Sequence, residues 1–374
     1  MSSLVIVTPS EFQQFADNIK NSMSMMEQVF DEITIEPMFI HDFPNKEIMM
    51  GLAAGSNTHD ILSNKHVLLL SSTTSQQGLG EHNASAADMI RNIGNTIRHQ
   101  RRCAKDILSH TLMIPASSYN RSDKIIDNPV CDIRETPSTF YDLQGFIQAG
   151  TDRIIQVDAH NPNLLEDLER NNPEFSGIVQ EYKDKLVYFE AIDWIADTIY
   201  KICEKNNLNI DQVCLISPDK GRQPVVQKVA DLLGTQKILQ FDKIRTSGST
   251  VESTISNPEL IQEYPDHHYF ILDDIISTGG TQSKTIEKLK EQHIQHIHII
   301  VTFSECIQHA MERIAVNRDM IRSITASNLH PRSEKLRSKN LIDIHSIESF
   351  LASQLHFFYK DMIYSAQANS IHDR

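Results

Sequence analysis

The chain has 374 residues, 40% hydrophobic and 22% charged, enough apolar material for roughly two domains and too much for wholesale disorder. Its 49 Asp and Glu outweigh 35 Lys and Arg, giving a net charge of -14, which argues against nucleic acid and anionic membrane surfaces as partners. The five cysteines are odd in number and have no Cys-x-x-Cys spacing, which excludes a disulfide framework or a zinc finger. No apolar run reaches the ~18 residues that span a bilayer. The first fifteen residues lack a basic segment followed by a cleavable apolar stretch, so a reducing, cytoplasmic setting is expected.

In chain order, short β-branched runs predict strands at Leu4–Thr8, Val67–Ser72, Thr111–Pro115, Arg153–Asp158, Val213–Ser217, Lys237–Phe241, Tyr269–Leu272 and His296–Thr302. Helical spacing falls between them: Ala87–Arg101 (Met89, Ile90, Ile93, Ile97), Ile192–Glu204, Gly221–Leu233 and Thr281–Gln292. Alternating strands and helices predict an α/β fold of mainly parallel sheets with crossover helices. The length accommodates two such halves, 1–165 and 166–355, with the polar stretch 161–175 as a connection and 356–374 as a loose tail.

Glycine is scarce, 13 in all, and the chain has one Gly-Gly pair, Gly279-Gly280. It ends an apolar strand that runs into two adjacent acids, Asp273 and Asp274, and then into Ser277-Thr-Gly-Gly-Thr281 and a helix. Backbone N–H groups of a glycine loop opening a helix cradle an anion, and the hydroxyls of Ser277, Thr278 and Thr281 add donors. The acids can accept hydrogen bonds from sugar hydroxyls, directly or through Mg²⁺. Ligands of open α/β sheets bind beyond the carboxyl ends of strands, where this loop lies.

This segment resembles the phosphoribosyl-pyrophosphate loop of type I phosphoribosyltransferases and of the ribose-phosphate pyrophosphokinases (phosphoribosyl pyrophosphate synthetases). Ser277 stands where the family usually has Asp. Other matches favour the pyrophosphokinases. Ser217-Pro-Asp-Lys-Gly221 is similar to their Ser-Pro-Asp-Ala-Gly-Gly motif, with Lys220 and Arg222 in place of small residues. Phe241-Asp-Lys-Ile-Arg245 resembles their Asp-Lys-Arg-Arg segment, and Val157-Asp-Ala-His160 their Val-Asp-Leu-His. Residues 115–124 resemble their nucleotide loop through Pro115, Tyr119, Arg121, Asp123 and Lys124. Residues 42–48 resemble their Phe-Ser-Asp-Gly-Glu loop through Phe43 and Glu47, while Asn45 and Lys46 depart from it.

The resemblance implies a divergent member with two similar phosphoribosyltransferase-like domains and the active site between them. It implies transfer of the diphosphoryl group of ATP to the anomeric hydroxyl of ribose 5-phosphate. Lys243 and Arg245 would be catalytic. Phe43, Asn45, Glu47, Arg121, Asp123, Lys124 and His160 would hold ATP. Asp219, Asp273, Asp274, Ser277, Thr278, Gly279, Gly280 and Thr281 would hold the ribose phosphate. His160, Asp219 and Asp273 would bind Mg²⁺. A homo-oligomer, dimer or hexamer, would supply the Phe43 loop to a neighbour. Two alternatives stay open: the same chemistry on a larger ribose 5-phosphate derivative such as ADP-ribose, or a non-catalytic regulatory homologue.

Overall fold

A computed structural model describes residues 2–44, 47–53, 55–74, 85–118, 122, 123, 125, 127, 128, 133, 134, 137–245, 251–307, 309–330 and 332–372. Two compact units divide the chain: Met1–Phe189 with Glu348–Arg374, and Glu190–Ile347.

In the first unit a seven-stranded sheet comprises β1 (Ser2–Pro9), β2 (Phe30–Asp42), β3 (Ile48–Leu52), β4 (Lys65–Leu70), β5 (Ser109–Ile114), β6 (Arg153–Val157) and β7 (Leu186–Phe189). The second unit has β8 (Val213–Ser217), β9 (Ile238–Arg245), β10 (Val251–Ile255), β11 (His268–Ile276), β12 (Ile297–Ser304), β13 (Ile321–Ala326) and β14 (Asp343–Ile344). The orders are β3-β2-β1-β4-β5-β6-β7 and β10-β9-β8-β11-β12-β13-β14, so the second sheet repeats the first strand for strand. Each is parallel except for one antiparallel hairpin at its edge, β2–β3 and β9–β10. The expected α/β class with two similar, mainly parallel halves is what the chain adopts.

Central strands read as continuous apolar runs because helices cover both faces of a parallel sheet. Leu4, Val5, Ile6 and Val7 of β1 are all fully buried, and so is every residue of β12. The helices are α1 (Gln13–Ser24), α2 (Ala86–Cys103), α3 (Ser138–Ala149), α4 (Ile192–Asn206), α5 (Gln223–Leu233), α6 (Gly280–Glu291), α7 (Ala310–Ala315) and α8 (Glu348–His372), with shorter helices between. Helix α2 starts where a capping box satisfies its end: Asp88 N–H donates to Ser85 Oγ at 3.1 Å, and Ser85 N–H to Asp88 Oδ2 at 3.1 Å. Its Met89, Ile93 and Ile97, predicted from spacing, enter the first core.

Two boundaries differ from the sequence reading. Strand β7 pairs in parallel with β6, from Ile154↔Leu186 to Val157↔Phe189, so residues 166–189 complete the first sheet, and the division falls at 189/190 rather than at 165/166. The stretch 356–374, read as a loose tail from its polarity, lies largely in α8. Tyr359 is fully buried, its ring 5.2 Å from that of Phe30 and 6.1 Å from that of His66. Asn18 Nδ2 of α1 donates to Glu348 Oε1 at 2.9 Å, and Lys360 Nζ reaches Glu27 Oε2 at 2.6 Å. Polar spacing misled here because one buried aromatic per turn or two is enough to dock a helix. Tyr359→Ala should therefore cost about 3 kcal/mol, read as a lowered urea midpoint; a change under about 0.5 kcal/mol would mean the helix is not part of the fold.

A row of imidazoles packs at the amino ends of β11 and β12, the end of the sheet away from the Gly-Gly loop. His268 Nδ1 and His298 Nε2 lie 2.9 Å apart, His298 Nδ1 is 2.8 Å from Ser323 Oγ, and the His298 ring stacks on Phe270 at 4.5 Å. Burial, then the neighbouring His268 and His296, push His298 down to about 3; burial, then His296, pushes His268 down to about 4. Both rings are neutral in the fold, so the unfolded chain binds more protons below its usual 6.5. Their contribution is complete above that value and is lost as pH falls from 6.5 through about 4 for His268 and about 3 for His298. Urea midpoints should decline over this window, and His298→Phe should flatten the decline; an equal slope in the variant would exclude the imidazoles as its cause.

Candidate functional site

The order of the second sheet fixes where a ligand can enter. The chain leaves β8 toward β9 and β10, then returns on the other side at β11, so β8 and β11 are neighbours that diverge at their carboxyl ends. Their pairing runs from Val213↔His268 to Ile216↔Ile271. β8 stops at Ser217, whereas β11 continues to Ile276 along β12, pairing Asp273↔Val301 and Ile276↔Ser304. The acid pair thus sits on an overhang, next to the turn that follows β8.

Asp273 and Asp274 are both nearly buried, 8% and 5% exposed. Asp273 Oδ1 accepts from the N–H of Asp274 at 3.0 Å, and its Oδ2 accepts from Gln282 Nε2 at 2.7 Å. The same Gln282 nitrogen donates to the Ile275 carbonyl at 3.1 Å. Gln282, on the first turn of α6, therefore ties the helix to the strand end and aims the carboxylate. Sequence reasoning missed it, because a Gln after a glycine loop looks like any helix residue. Burial, and then the adjacent Asp274, raise the Asp273 pKa well above the carboxylate range; Asp219 adds to this and the Arg222 guanidinium opposes it.

The loop after β11 is shaped by what lies beneath it. Gly279 takes φ +73°, and a Cβ there would stand 2.9 Å from the Ala310 carbonyl oxygen of α7. Its neighbours turn their carbonyls outward: Ile276 O accepts from Cys306 N–H at 2.8 Å, Ser277 O from Ile307 N–H at 2.9 Å, and Thr278 O from Arg313 Nη1 at 2.9 Å. Helix α6 begins immediately after, and its first N–H groups have no intrahelical acceptor. Ser277, Thr278, Gly279, Gly280 and Thr281 thus form a loop and helix start suited to a phosphate. Arg313, also missed in the sequence, comes to it from a separate helix.

Across the crevice, the turn after β8 is closed by Ser217 Oγ donating to Asp219 O at 2.7 Å and by Arg222 N–H donating to Asp219 Oδ1 at 3.2 Å. The Arg222 side chain is buried, 7% exposed, whereas Lys220 is exposed and pairs with Asp242 Oδ1 at 3.5 Å. Lys243 and Arg245 lie on the β9 backbone opposite Ser253 and Val251 of β10; their side chains are outside the described part of the structure.

In the first unit, Asp158 ends β6 with φ +43°, its N–H donating to Phe189 O at 2.8 Å, and His160 follows at the surface. Asn161 Nδ2 donates to Asp123 Oδ2 at 2.9 Å and to Asp167 Oδ2 at 3.1 Å, which brings the His160 loop beside Asp123. Phe43 is 39% exposed, packs edge-on to His41 at 4.7 Å, and donates its N–H to Glu47 O at 2.8 Å. Asn45, Arg121 and Lys124 lie outside the described residues, as does Tyr119. Among the described residues no three His, Cys, Asp or Glu side chains converge as a ready-made metal cage.

A phosphoribosyl transferase domain model matches residues 187–325, which include the turn after β8 and the whole Gly-Gly loop. Ribose-phosphate pyrophosphokinase of Corynebacterium glutamicum is 27% identical over 205 residues, 55% of this chain and 55% of that protein. The namesake of Corynebacterium efficiens is 25% identical over 292 residues, 76% of this chain and 74% of its own. The fold superposes on phosphoribosylpyrophosphate synthetase from Mycobacterium smegmatis with a TM-score of 0.70 at 20% identity, covering 96% of this chain and all of that one.

The chain is a divergent relative of the ribose-phosphate pyrophosphokinases. Just over half of the Corynebacterium glutamicum relative is spanned by its match. Within a pyrophosphokinase-like chain, the domain match coincides with the second unit, where the acid pair and loop are assembled. The loop geometry predicts a sharp contrast between its two glycines. Gly279→Ala forces a Cβ onto a backbone carbonyl in a left-handed conformation and should cost about 1–3 kcal/mol. Gly280→Ala, whose Cβ would meet nothing nearer than 3.7 Å, should stay within about 0.5 kcal/mol. Equal urea midpoints for the two variants would contradict this geometry.

Proposed function

We propose that this chain transfers the diphosphoryl group of ATP to the anomeric hydroxyl of ribose 5-phosphate, giving phosphoribosyl pyrophosphate and AMP. The observation that supports this most is the buried pair Asp273–Asp274 on a strand overhang, directly joined to the Ser277–Thr281 helix start. One end of that arrangement suits a sugar diol and the other a phosphate, at a separation set by a few residues of backbone. The 5-phosphate would lie on the N–H groups of Gly279–Thr281 and the hydroxyls of Thr278 and Thr281. Asp273 and Asp274 would accept hydrogen bonds from the 2- and 3-hydroxyls, with Gln282 fixing the Asp273 carboxylate.

Phosphoryl chemistry of this kind needs alignment and charge screening more than covalent catalysis. Lys243 and Arg245 would neutralise the charge that develops on the transferring group. Arg121, Lys124, Asp123 and His160 would hold ATP, and Phe43, Asn45 and Glu47 would reach the adenine of a neighbouring copy in a homo-oligomer. Asp219 and Asp273 offer hard carboxylate oxygens, the donor chemistry that Mg²⁺ takes, and these residues would hold it. When bound, the ion would screen the phosphate charges. His160 would complete its ligands as the sequence resemblance implies. No helix among the described residues is long and apolar enough to cross a membrane; the cytoplasmic setting expected from the cysteine pattern is part of this proposal.

A second reading, a larger acceptor such as ADP-ribose, is favoured by Arg313, whose exposed guanidinium stands beside the loop at Thr278 and could meet a second phosphate. Purified protein should therefore be given Mg-ATP with either ribose 5-phosphate or ADP-ribose, and AMP quantified with the pyrophosphorylated product. AMP with ribose 5-phosphate is the expected result. AMP with ADP-ribose alone would favour the second reading, and none with either would leave a non-catalytic homologue. Lys243→Ala should lower turnover by about two or more orders of magnitude with an unchanged melting temperature; wild-type rates would remove Lys243 from the mechanism.

A further inference from the structure

We infer that Arg313 is a positioning residue of the phosphate loop: by holding the Thr278 carbonyl it aims the Gly279 N–H at the anion. The inference deepens the reading above and rests on the phosphate site proposed there. It starts from the trans peptide, in which the carbonyl of one residue and the N–H of the next point in opposite directions. Three successive carbonyls, of Ile276, Ser277 and Thr278, are drawn to one side of the chain. They accept from Cys306 N–H at 2.8 Å, Ile307 N–H at 2.9 Å and Arg313 Nη1 at 2.9 Å. The N–H groups of Ser277, Thr278 and Gly279 are therefore turned to the other side, and none of them meets an acceptor among the described residues. The array continues without a break into Gly280, Thr281 and Gln282, the start of α6, whose N–H groups have no intrahelical acceptor.

The three carbonyls are not held alike. The first two are taken by backbone N–H groups, and the third by the Arg313 side chain. The peptide between Thr278 and Gly279 is also the one that can turn over. Gly279 sits at φ +73°, and glycine passes to negative φ without steric penalty. In the turned orientation the Thr278 oxygen would stand among the N–H groups and repel a phosphate. Arg313 Nη1 also stands 3.7 Å from the place a Cβ on Gly280 would take, so its charge lies beside the positive end of α6. Glu312, the neighbouring acid on α7, is engaged with His309 Nδ1 at 2.7 Å. Arg313 is exposed, so its place at the loop does not follow from core packing.

The test uses inorganic phosphate alone, with no ATP, metal or sugar. Thr278-Gly279 is the one Thr-Gly step in the chain, so carbonyl-¹³C threonine combined with ¹⁵N glycine isolates the Gly279 amide in an NMR spectrum, through the peptide bond in question. Wild type, Arg313→Met and Arg313→Lys are titrated with phosphate at low and at high salt. In wild type the amide proton should move downfield and saturate. The Met variant should bind phosphate about tenfold more weakly, as expected for the loss of one charge-assisted hydrogen bond. Its saturated shift should also be smaller, because the N–H is turned away in part of the molecules. Lys can still donate to the Thr278 oxygen and should restore both. A role of charge alone would fade at high salt and leave the saturated shift unchanged, so a Met variant behaving that way overturns the inference. So does a Lys variant as impaired as Met, or a Met variant whose circular dichroism shows it unfolded. A wild-type response kept in full by the Met variant overturns the inference but leaves the phosphate site standing. No response in wild type removes the phosphate site, and the inference with it.

Discussion

The buried carboxylate of Asp273 is the constraint from which the rest of the site follows. An acid at the end of a parallel strand, out of water, must have every oxygen accounted for. Here one oxygen takes the N–H of Asp274 and the other takes Gln282 from the following helix, so the first turn of α6 is tied to β11 by the acid itself. That tie fixes the start of α6, and with it the direction in which its free N–H groups point. The sharp loop between strand and helix then needs Gly279, because α7 passes directly below. On the other side the turn after β8 is held by Arg222 N–H donating to Asp219 Oδ1 at 3.2 Å. The buried acid pair and the free N–H groups of the helix start are thus consequences of one strand overhang.

The same strand order occurs in the first unit, yet builds a crevice of different chemistry. At the corresponding place, after β4, stand Ser71, Ser72 and Thr73, with Thr8 at the end of β1, all nearly buried. Ser72 Oγ donates to Ala116 O at 2.9 Å and Thr8 Oγ1 to Leu70 O at 3.0 Å, so these hydroxyls spend their hydrogen bonds on the protein. Topology supplies two equivalent crevices, and only side chains make one of them acidic. This is the general separation of fold from function, seen twice within a single chain.

How much could be read beforehand depended on whether a feature was local. The parallel strands β1, β4, β5, β6, β8, β11 and β12 were legible because burial on both faces makes them rich in apolar and β-branched residues, as in Leu4–Val7 and Tyr269–Leu272. Strand β2 was not, since Asp31, Glu32, Glu36 and Pro37 interrupt it and its outer neighbour is an antiparallel hairpin strand. In β13 Arg322 and Ser323 break the apolar pattern, and β14 has only two residues. The loop from Asp273 to Thr281 was recognisable as a unit because its chemistry is contiguous. Gln282 was invisible because nothing local marks a Gln on a first helical turn as the partner of an acid, and Arg313 because it acts on a loop that the chain reaches again only after a crossover.

Residue order alone determined the fold class and the existence of two similar halves, because these rest on local periodicity, and it marked the Gly-Gly loop as one compact motif. The limits of the halves were decided only in three dimensions: β7 joins the first sheet by pairing with β6, and the polar-looking final helix returns to the first unit through Tyr359. So was the approach of Asp219 to Asp273 and Asp274, up to 55 positions apart in sequence, which follows from β8 and β11 being adjacent in space. Strand pairing and burial are long-range, and their free energies depend on neighbours that no local window of sequence contains.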